Sequence, residues 1–180
     1  MDIHFWPSRS AFQSWSQASN EICLRTFRSR KRPKGETHKI YLKAFITGFV
    51  STLVFHQGVL WLLYAVGFSP RAPWNMTPVP PLNIPAVISL AFWGGLWGIL
   101  LWALIGASSG GTYWIMALLI GALGPSLVAW FLVMPMKGMG LAGGWDPKII
   151  VSGLLLNGGW GLGTALLIQL LNRVNVSNVS

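Results

Sequence analysis

The chain has 180 residues, of which 53% are hydrophobic and 9% are charged, and its net charge is +9. Soluble domains carry about 25% charged residues, so this chain has too few charges to solvate a globular surface. The composition therefore excludes a soluble globular domain and predicts an integral membrane protein. The single cysteine, Cys23, excludes an internal disulfide and a cysteine-based metal cluster.

The cations are concentrated at the start of the chain, where nine of the thirteen Lys and Arg residues precede the first long apolar segment. Such a block also occurs in nucleic-acid-binding proteins, but before an apolar segment it is typical of the cytoplasmic flank of a membrane helix. We therefore expect a lipid bilayer as a partner and no nucleic acid. Residues 1–40 are predicted to be a basic cytoplasmic tail, disordered or lying on the lipid surface. An organellar transit peptide, or a start site just before Tyr41, are the alternatives for this segment.

Four apolar segments follow, each long enough to cross a hydrocarbon core about 30 Å thick as a helix. They are Ala44–Phe68, Ala86–Gly106, Tyr113–Met134 and Ile149–Leu171. Between the first two, prolines at positions 70, 73, 78, 80, 81 and 85 exclude a helix. The sequence thus predicts an all-α membrane protein with a four-helix transmembrane domain over residues 41–172. Residues 173–180 are predicted to be a short cytoplasmic tail.

The cations also predict the orientation of the chain. With the basic block inside, four spans return the C-terminal tail and Arg173 to the same side. The two loops that then face outward contain only Arg71, Lys137 and Lys148 as cations. Both termini are therefore expected in the cytoplasm.

Glycine-rich segments of the second and fourth spans resemble each other: WGGLWGI over Trp93–Ile99 and NGGWGLG over Asn157–Gly163. In each half of the chain a helix, a Pro- or Gly-rich loop containing a tryptophan (Trp74 or Trp145) and a glycine-bearing helix follow in order. This pattern indicates a two-plus-two parallel internal repeat, with the halves related by an axis along the membrane normal. Because Gly and Trp are abundant here, a chance similarity is the alternative.

The same glycines predict close packing between helices. Two G-x-x-x-G pairs allow another backbone to approach closely: Gly94 with Gly98, and Gly159 with Gly163. A second face of the fourth span predicts packing on more than one side, through Gly153, Asn157, Gly161 and Thr164. Because four helices offer little interior, we expect some neighbours to belong to a homo-oligomer or a larger membrane complex. A pore lined by small residues is the alternative.

A few polar residues lie inside the apolar segments. His56 and Gln57 occupy the middle of the first span, Thr52 lies one turn earlier, and Asn157 lies in the fourth span. Hydrocarbon supplies no water, so these groups need partners on other helices. We expect His56, Gln57 and Asn157 to form a polar cluster between spans one and four, and Thr52 to bond a carbonyl or the imidazole. A structural hydrogen-bond clasp is the first interpretation, and a proton- or solute-handling site in a small permease or channel is the second.

The sequence contains no recognisable catalytic or metal-binding arrangement around His56. It is the only histidine in any span, and no carboxylate or thiol accompanies it there. Haem or pigment binding through His56 is a third interpretation, although no cofactor is expected. The only carboxylate beyond the tail, Asp146, lies in a loop. We therefore predict a protein without catalytic activity, and an accessory or scaffold subunit as its first role.

The run from Leu42 to Leu101 contains FHQGVL, SPRAPWNM, PVPPL and FWGGLWG. With these motifs it resembles small uncharacterised multi-pass proteins of bacterial inner membranes. The resemblance covers about a third of the chain and implies a location in the bacterial inner membrane. It implies no activity, so no site residue follows from it. The basic N-terminal segment is additional to that pattern.

Overall fold

The chain is almost entirely helical in a computed structural model, which describes the backbone of residues 34–177 and the side chains of residues 38–173. Four of its helices are long and apolar enough to cross a membrane, here called spans one to four: His38–Ala65, Ala86–Ile105, Gly110–Met136 and Pro147–Arg173. The all-α architecture with four transmembrane helices is therefore confirmed. Each predicted span matches one of these helices, with shifts of a few residues at the ends.

Two of the spans are interrupted by short π-helical segments. Span one consists of α1 (Lys34–Ser51), the first π segment (Thr52–His56) and α2 (Gln57–Ala65). Span two is α3 (Ala86–Ile105). Span three consists of α4 (Gly110–Val128), the second π segment (Ala129–Val133) and α5 (Met134–Met136). A short α6 (Ala142–Trp145) precedes α7 (Pro147–Ser177), which contains span four.

The helices extend into both predicted tails. Helix α1 is described from Lys34 onwards. Helix α7 continues to Ser177, so residues 34–40 and 173–177 are helical rather than irregular. The remainder of the predicted tails, residues 1–33 and 178–180, lies outside the described part of the chain.

The loop that joins spans one and two, residues 66–85, contains no helix, as its prolines predict. It ends in a two-stranded antiparallel hairpin of β1 (Pro78–Val79) and β2 (Ile84–Pro85), in which Val79 pairs with Ile84. The loop that joins spans three and four, residues 137–146, lies at the same end of the bundle. This end is called the outer end below, after the predicted orientation.

Spans one and two cross where their backbones touch. A Cβ atom built on Gly48 would meet the carbonyl oxygen of Gly94 and would lie 2.9 Å from Cα of Gly98. A Cβ atom built on Gly98 would lie 2.5 Å from the carbonyl oxygen of Ala44. No side chain separates the helices at this point, so only glycine fits at these positions. An A-x-x-x-G motif on span one therefore packs against the predicted G-x-x-x-G pair of span two.

Spans three and four cross in the same manner. A Cβ atom built on Gly121 would lie 2.7 Å from Cα of Gly161 and 3.2 Å from the carbonyl oxygen of Asn157. A Cβ atom built on Gly161 would meet the carbonyl oxygen of Ala117. Ala117 and Gly121 again form an A-x-x-x-G motif, so the two halves of the chain share one crossing geometry.

The two halves of the chain, spans one and two and spans three and four, also contact each other through corresponding residues. Trp97 and Trp160 each directly precede the crossing glycine of spans two and four. The backbone carbonyl of Trp160 accepts a hydrogen bond from Ser51 of span one, and the ring of Trp97 lies 3.1 Å from the Cβ position of Gly124 in span three. Ser51 and Gly124 each lie three residues after the glycine of their A-x-x-x-G motif. The halves thus repeat one arrangement, with Trp97 equivalent to Trp160. This alignment differs by one residue from that of the segments Trp93–Ile99 and Asn157–Gly163.

A buried apolar cluster holds spans two, three and four together towards the inner end. It includes Leu101 and Ile105 of span two, and Tyr113 of span three. The Tyr113 hydroxyl donates a hydrogen bond to the carbonyl of Ala165 in span four over 2.9 Å. The burial of these side chains and this hydrogen bond hold the three helices in one packing arrangement.

Candidate functional site

Spans one and four are joined by hydrogen bonds to Trp160, which is 3% exposed. Its indole Nε1 donates to the carbonyl of Gly48 over 3.0 Å, and its own carbonyl accepts from Ser51 Oγ over 2.7 Å. Thr164 Oγ1 also donates to the Trp160 carbonyl, over 2.9 Å. We call the bonds of Trp160 to Gly48 and Ser51 the Trp160 clasp. A clasp between these spans is what the sequence predicts, but it is made by other residues.

The sequence does contain a signal for the Trp160 clasp. Ser51 directly precedes Thr52 and lies one turn after Thr47, so it is a further hydroxyl inside the first span. Trp160 directly precedes a glycine within a glycine-rich segment. A tryptophan beside a close helix crossing brings its indole N–H within reach of the neighbouring backbone, where an unpaired donor would be costly.

Asn157 lies on the face of span four that packs against span three. Its Nδ2 donates a hydrogen bond to Ser126 Oγ over 2.9 Å. Ser126 is fully buried. The predicted hydrogen bond from Asn157 to His56 or Gln57 is not formed in the described part of the chain. Asn157 therefore belongs to the crossing within the second half rather than to a cluster with span one.

His56 and Gln57 form a pair of their own. Nε2 of the buried Gln57 lies 3.4 Å from Nδ1 of His56, a long distance for a hydrogen bond. The Gln57 side chain also accepts a hydrogen bond from the backbone N–H of Trp74 over 2.8 Å. Trp74 belongs to the 66–85 loop, so the partner of Gln57 is this loop and not span four.

The first π segment explains why the predicted cluster does not form. Its wider turn accommodates one extra residue, and one residue corresponds to about 100° of rotation in an α-helix. Positions from Gln57 onwards therefore face a different direction from the one that a continuous α-helix predicts. Thr52 lies at the start of the segment, and its Oγ1 donates to the Gly48 carbonyl over 3.0 Å, one of its two expected partners.

The His56–Gln57 pair lies nearer the outer end than the sequence predicts. Gln57 precedes the end of span one at Ala65 by eight residues, about 12 Å along the axis. Span two begins beside the same stretch of chain, because the Val87 N–H bonds the carbonyl of Asn75, next to Trp74. The pair is therefore level with the start of span two. The 66–85 loop folds back along span one and occupies the outer end of the bundle that span two does not reach.

The indole of Trp74 caps a carbonyl that the π geometry leaves free. In an α-helix the Leu53 carbonyl would accept from the N–H of Gln57. Here that N–H is shared between the carbonyls of Thr52, five residues back, and Val54. Trp74 Nε1 donates to the Leu53 carbonyl instead, over 3.0 Å. The loop tryptophan thus makes two hydrogen bonds to span one, in a backbone conformation with φ of 49°.

The second half places its loop tryptophan in an analogous position. Trp145 of the 137–146 loop also has a positive φ, 62°. Its ring packs edge-on against Phe131 in the second π segment, with ring centroids 6.1 Å apart. In each half, therefore, the loop tryptophan lies against the π segment of the preceding span.

The predicted helix-packing glycines all lie at contacts with span one. Gly94 and Gly98 contact its backbone at the crossing described above. Cβ atoms built on Gly159 and Gly163 would meet the side chains of Val59 and Phe55. The glycines of span four therefore accommodate apolar side chains of span one, whereas its backbone-to-backbone contact is made on the opposite face, with span three.

A cavity of about 260 Å³ lies at the inner end, between the turn that joins spans two and three and the end of span four. Its wall includes the aromatic rings of Trp102 and Tyr113, and its polar side chains include Ser109, Gln169 and Asn172. Because none of the lining side chains is charged, the cavity suits neutral hydrogen-bonding groups.

Among residues 34–177, no group of three His, Cys, Asp or Glu side chains is placed to hold a metal ion. Every buried side-chain nitrogen or oxygen in the described part of the chain has a hydrogen-bond partner. The described polar groups thus hold the helices and the 66–85 loop together. In comparisons with known proteins, no family model, curated protein or solved structure matches the chain.

Proposed function

We propose that this chain is an integral membrane protein without catalytic activity that acts as an accessory or scaffold subunit. The observation that carries the proposal is the Trp160 clasp. It uses the polar groups in the centre of the bundle to join spans one and four. Asn157 and Gln57 are likewise engaged within the chain, with Ser126 and Trp74. Polar groups used in this way stabilise a fixed arrangement of helices.

The apolar outer surface of the bundle is the observation that supports contacts with partners inside the membrane. Each span exposes large apolar side chains, including Leu62 (55% exposed), Trp93 (58%), Ile115 (60%) and Leu155 (49%). In a membrane such faces contact lipid or other apolar helices. We propose that they contact the bilayer and the helices of a homo-oligomer or a larger membrane complex.

We propose the bacterial inner membrane as the location, with both termini in the cytoplasm. The nine cations among the first 43 residues and the resemblance of Leu42–Leu101 support this proposal. Labelling with a membrane-impermeant thiol reagent tests the orientation, since Cys23 is the only cysteine. Cys23 should react only after the cells are opened. Labelling in intact cells would contradict the orientation.

Gentle detergent extraction tests the scaffold role. The tagged full-length protein should elute as a homo-oligomer, or with another membrane protein in fixed stoichiometry, by native mass spectrometry. His56→Phe should leave this assembly unchanged, because the hydrogen bond described for the His56 side chain is long, 3.4 Å, and lies within span one. A monomer free of other proteins, obtained in several mild detergents, would contradict the proposal.

A small permease or channel is the second candidate. The observation that favours it is the pair of π segments, one in each half of a repeated structure. Such interruptions are frequent at functional sites of membrane proteins. In reconstituted vesicles, His56→Ala would then abolish solute or proton flux or change its pH dependence. Unchanged flux in His56→Ala vesicles would exclude a transport role for this histidine.

A further inference from the structure

We propose that the 66–85 loop is a strap latched to the first π segment by Trp74, and that release of this latch converts the segment to α-helical register. The strap then leaves the side of span one and opens the outer end of the bundle. This inference goes beyond the scaffold role, because it gives the outer end two defined states.

The latch rests on two hydrogen bonds from one residue. The backbone N–H of Trp74 donates to Gln57 Oε1 over 2.8 Å, and its indole Nε1 donates to the Leu53 carbonyl over 3.0 Å. Trp74 holds a φ of 49°, which residues with side chains rarely adopt. The contacts with span one therefore maintain a conformation that the free loop would leave readily.

The π segment supplies the second state because two donors compete for the Leu53 carbonyl. In the structure the indole of Trp74 donates to that carbonyl, while the N–H of Gln57 donates to the carbonyls of Thr52 and Val54. When Trp74 leaves, the Leu53 carbonyl is unpaired, and the N–H of Gln57 can bond it in the ordinary α pattern. An unpaired carbonyl in an apolar surrounding is costly, so loss of the latch favours the α register.

The change of register moves the outer turns of span one. Conversion of the π turn to α geometry passes one residue on to the next turn, so it rotates Gln57–Ala65 by about 100° and lengthens the helix by about 1.5 Å. The strap is also tied to span two, since the N–H groups of Ala86 and Val87 bond the carbonyls of Thr77 and Asn75. The start of span two therefore moves with the strap.

The second half provides the matched control. Trp145 also lies on a π segment, but its described contact is the edge-on packing with the Phe131 ring. A Trp145→Phe change keeps an aromatic ring at this contact. Trp74→Phe likewise keeps a ring but removes the donor to Leu53. Only Trp74→Phe therefore loses a hydrogen bond of the latch.

Hydrogen–deuterium exchange of the full-length protein in lipid nanodiscs tests the proposal. In Trp74→Phe, amides of the strap and of residues 57–66 should exchange faster by the same factor, about fivefold for one lost hydrogen bond. Both regions should exchange in Trp145→Phe as in the unmodified protein. Equal exchange in Trp74→Phe and Trp145→Phe would overturn the latch. Faster exchange of the strap alone would overturn its coupling to the π segment.

A second measurement uses the unmodified protein and therefore does not depend on the folding of a variant. The strap and residues 57–66 should open as one unit, with a common opening constant as temperature is raised. The amides of Ala44–Ser51 should exchange more slowly. Different opening constants for the strap and for residues 57–66 would contradict the proposal.

Discussion

The close crossing of spans one and two predicts that one methyl group added at Gly48 lowers the stability of the protein. In Gly48→Ala the new Cβ would lie 2.9 Å from Cα of Gly98, where ordinary contacts begin at 3.4 Å. It would also meet the carbonyl oxygen of Gly94. Both obstacles are backbone atoms, so no side-chain rotation can relieve the overlap and the helices must separate by at least 0.5 Å (3.4 minus 2.9).

Gly58 is the matched control in the same span. A Cβ atom built there meets nothing within 4 Å, so Gly58→Ala tests the helix propensity of alanine alone. That propensity stabilises a helix by about 1 kcal/mol relative to glycine. Overpacking costs up to about 3 kcal/mol. We use this upper value for Gly48→Ala because the overlap is with backbone atoms, which cannot move aside. Gly48→Ala should therefore be less stable by about 2 kcal/mol and Gly58→Ala more stable by about 1 kcal/mol.

Thermal unfolding of the purified protein in detergent, followed by tryptophan fluorescence, measures this difference. A gap of 3 kcal/mol corresponds to roughly 6–12 °C between the midpoints of the two variants, at 2–4 °C per kcal/mol for a chain of this size. Both variants must elute at the same volume as the unmodified protein before they are compared. Equal midpoints, or a more stable Gly48→Ala, would refute the close approach of the two backbones.

Two hydrogen bonds between helices give further predictions by the same assay. Trp160→Phe removes the donor to the Gly48 carbonyl and should cost about 1 kcal/mol, whereas Trp93→Phe on the exposed face should change stability by less than about 0.5 kcal/mol. Equal midpoints for these two variants would contradict the Trp160 clasp. Asn157→Ala should cost about 0.6 kcal/mol, and the cost should disappear when Ser126 is already alanine. If Asn157→Ala still lowers the stability of the Ser126→Ala variant, the partner of Asn157 is a residue other than Ser126.

The number and the order of the spans follow from local properties of the sequence. An apolar stretch of some twenty residues is recognisable without any knowledge of its neighbours, because its length and hydropathy alone decide whether it can cross a bilayer. The proline-rich segment after Ala65 is equally local, since each proline restricts only its own backbone and that of the preceding residue. These features are accordingly predicted with nearly correct ends.

The partners of the polar residues could not be predicted in the same way. The sequence places Asn157 at a suitable depth, but both faces of span four carry small residues, so its orientation depends on the packing of the whole bundle. The position of Gln57 depends on the first π segment. That segment is stabilised by Trp74, which lies 17 residues further along the chain. A periodicity of 3.6 residues cannot reveal an interruption that a distant loop residue stabilises.

The short second span has a consequence for the surrounding lipid. Its 20 residues extend about 30 Å, whereas the 27 or 28 residues of the other three extend about 40 Å. Span two therefore just matches a hydrocarbon core of about 30 Å, whereas the other three spans exceed it and must tilt or extend beyond it. Such mismatch carries a modest free-energy cost for every ångström. A neighbouring helix as short as span two would lie beside it without a tilt, so the match in length would favour a short partner helix at this side of the molecule.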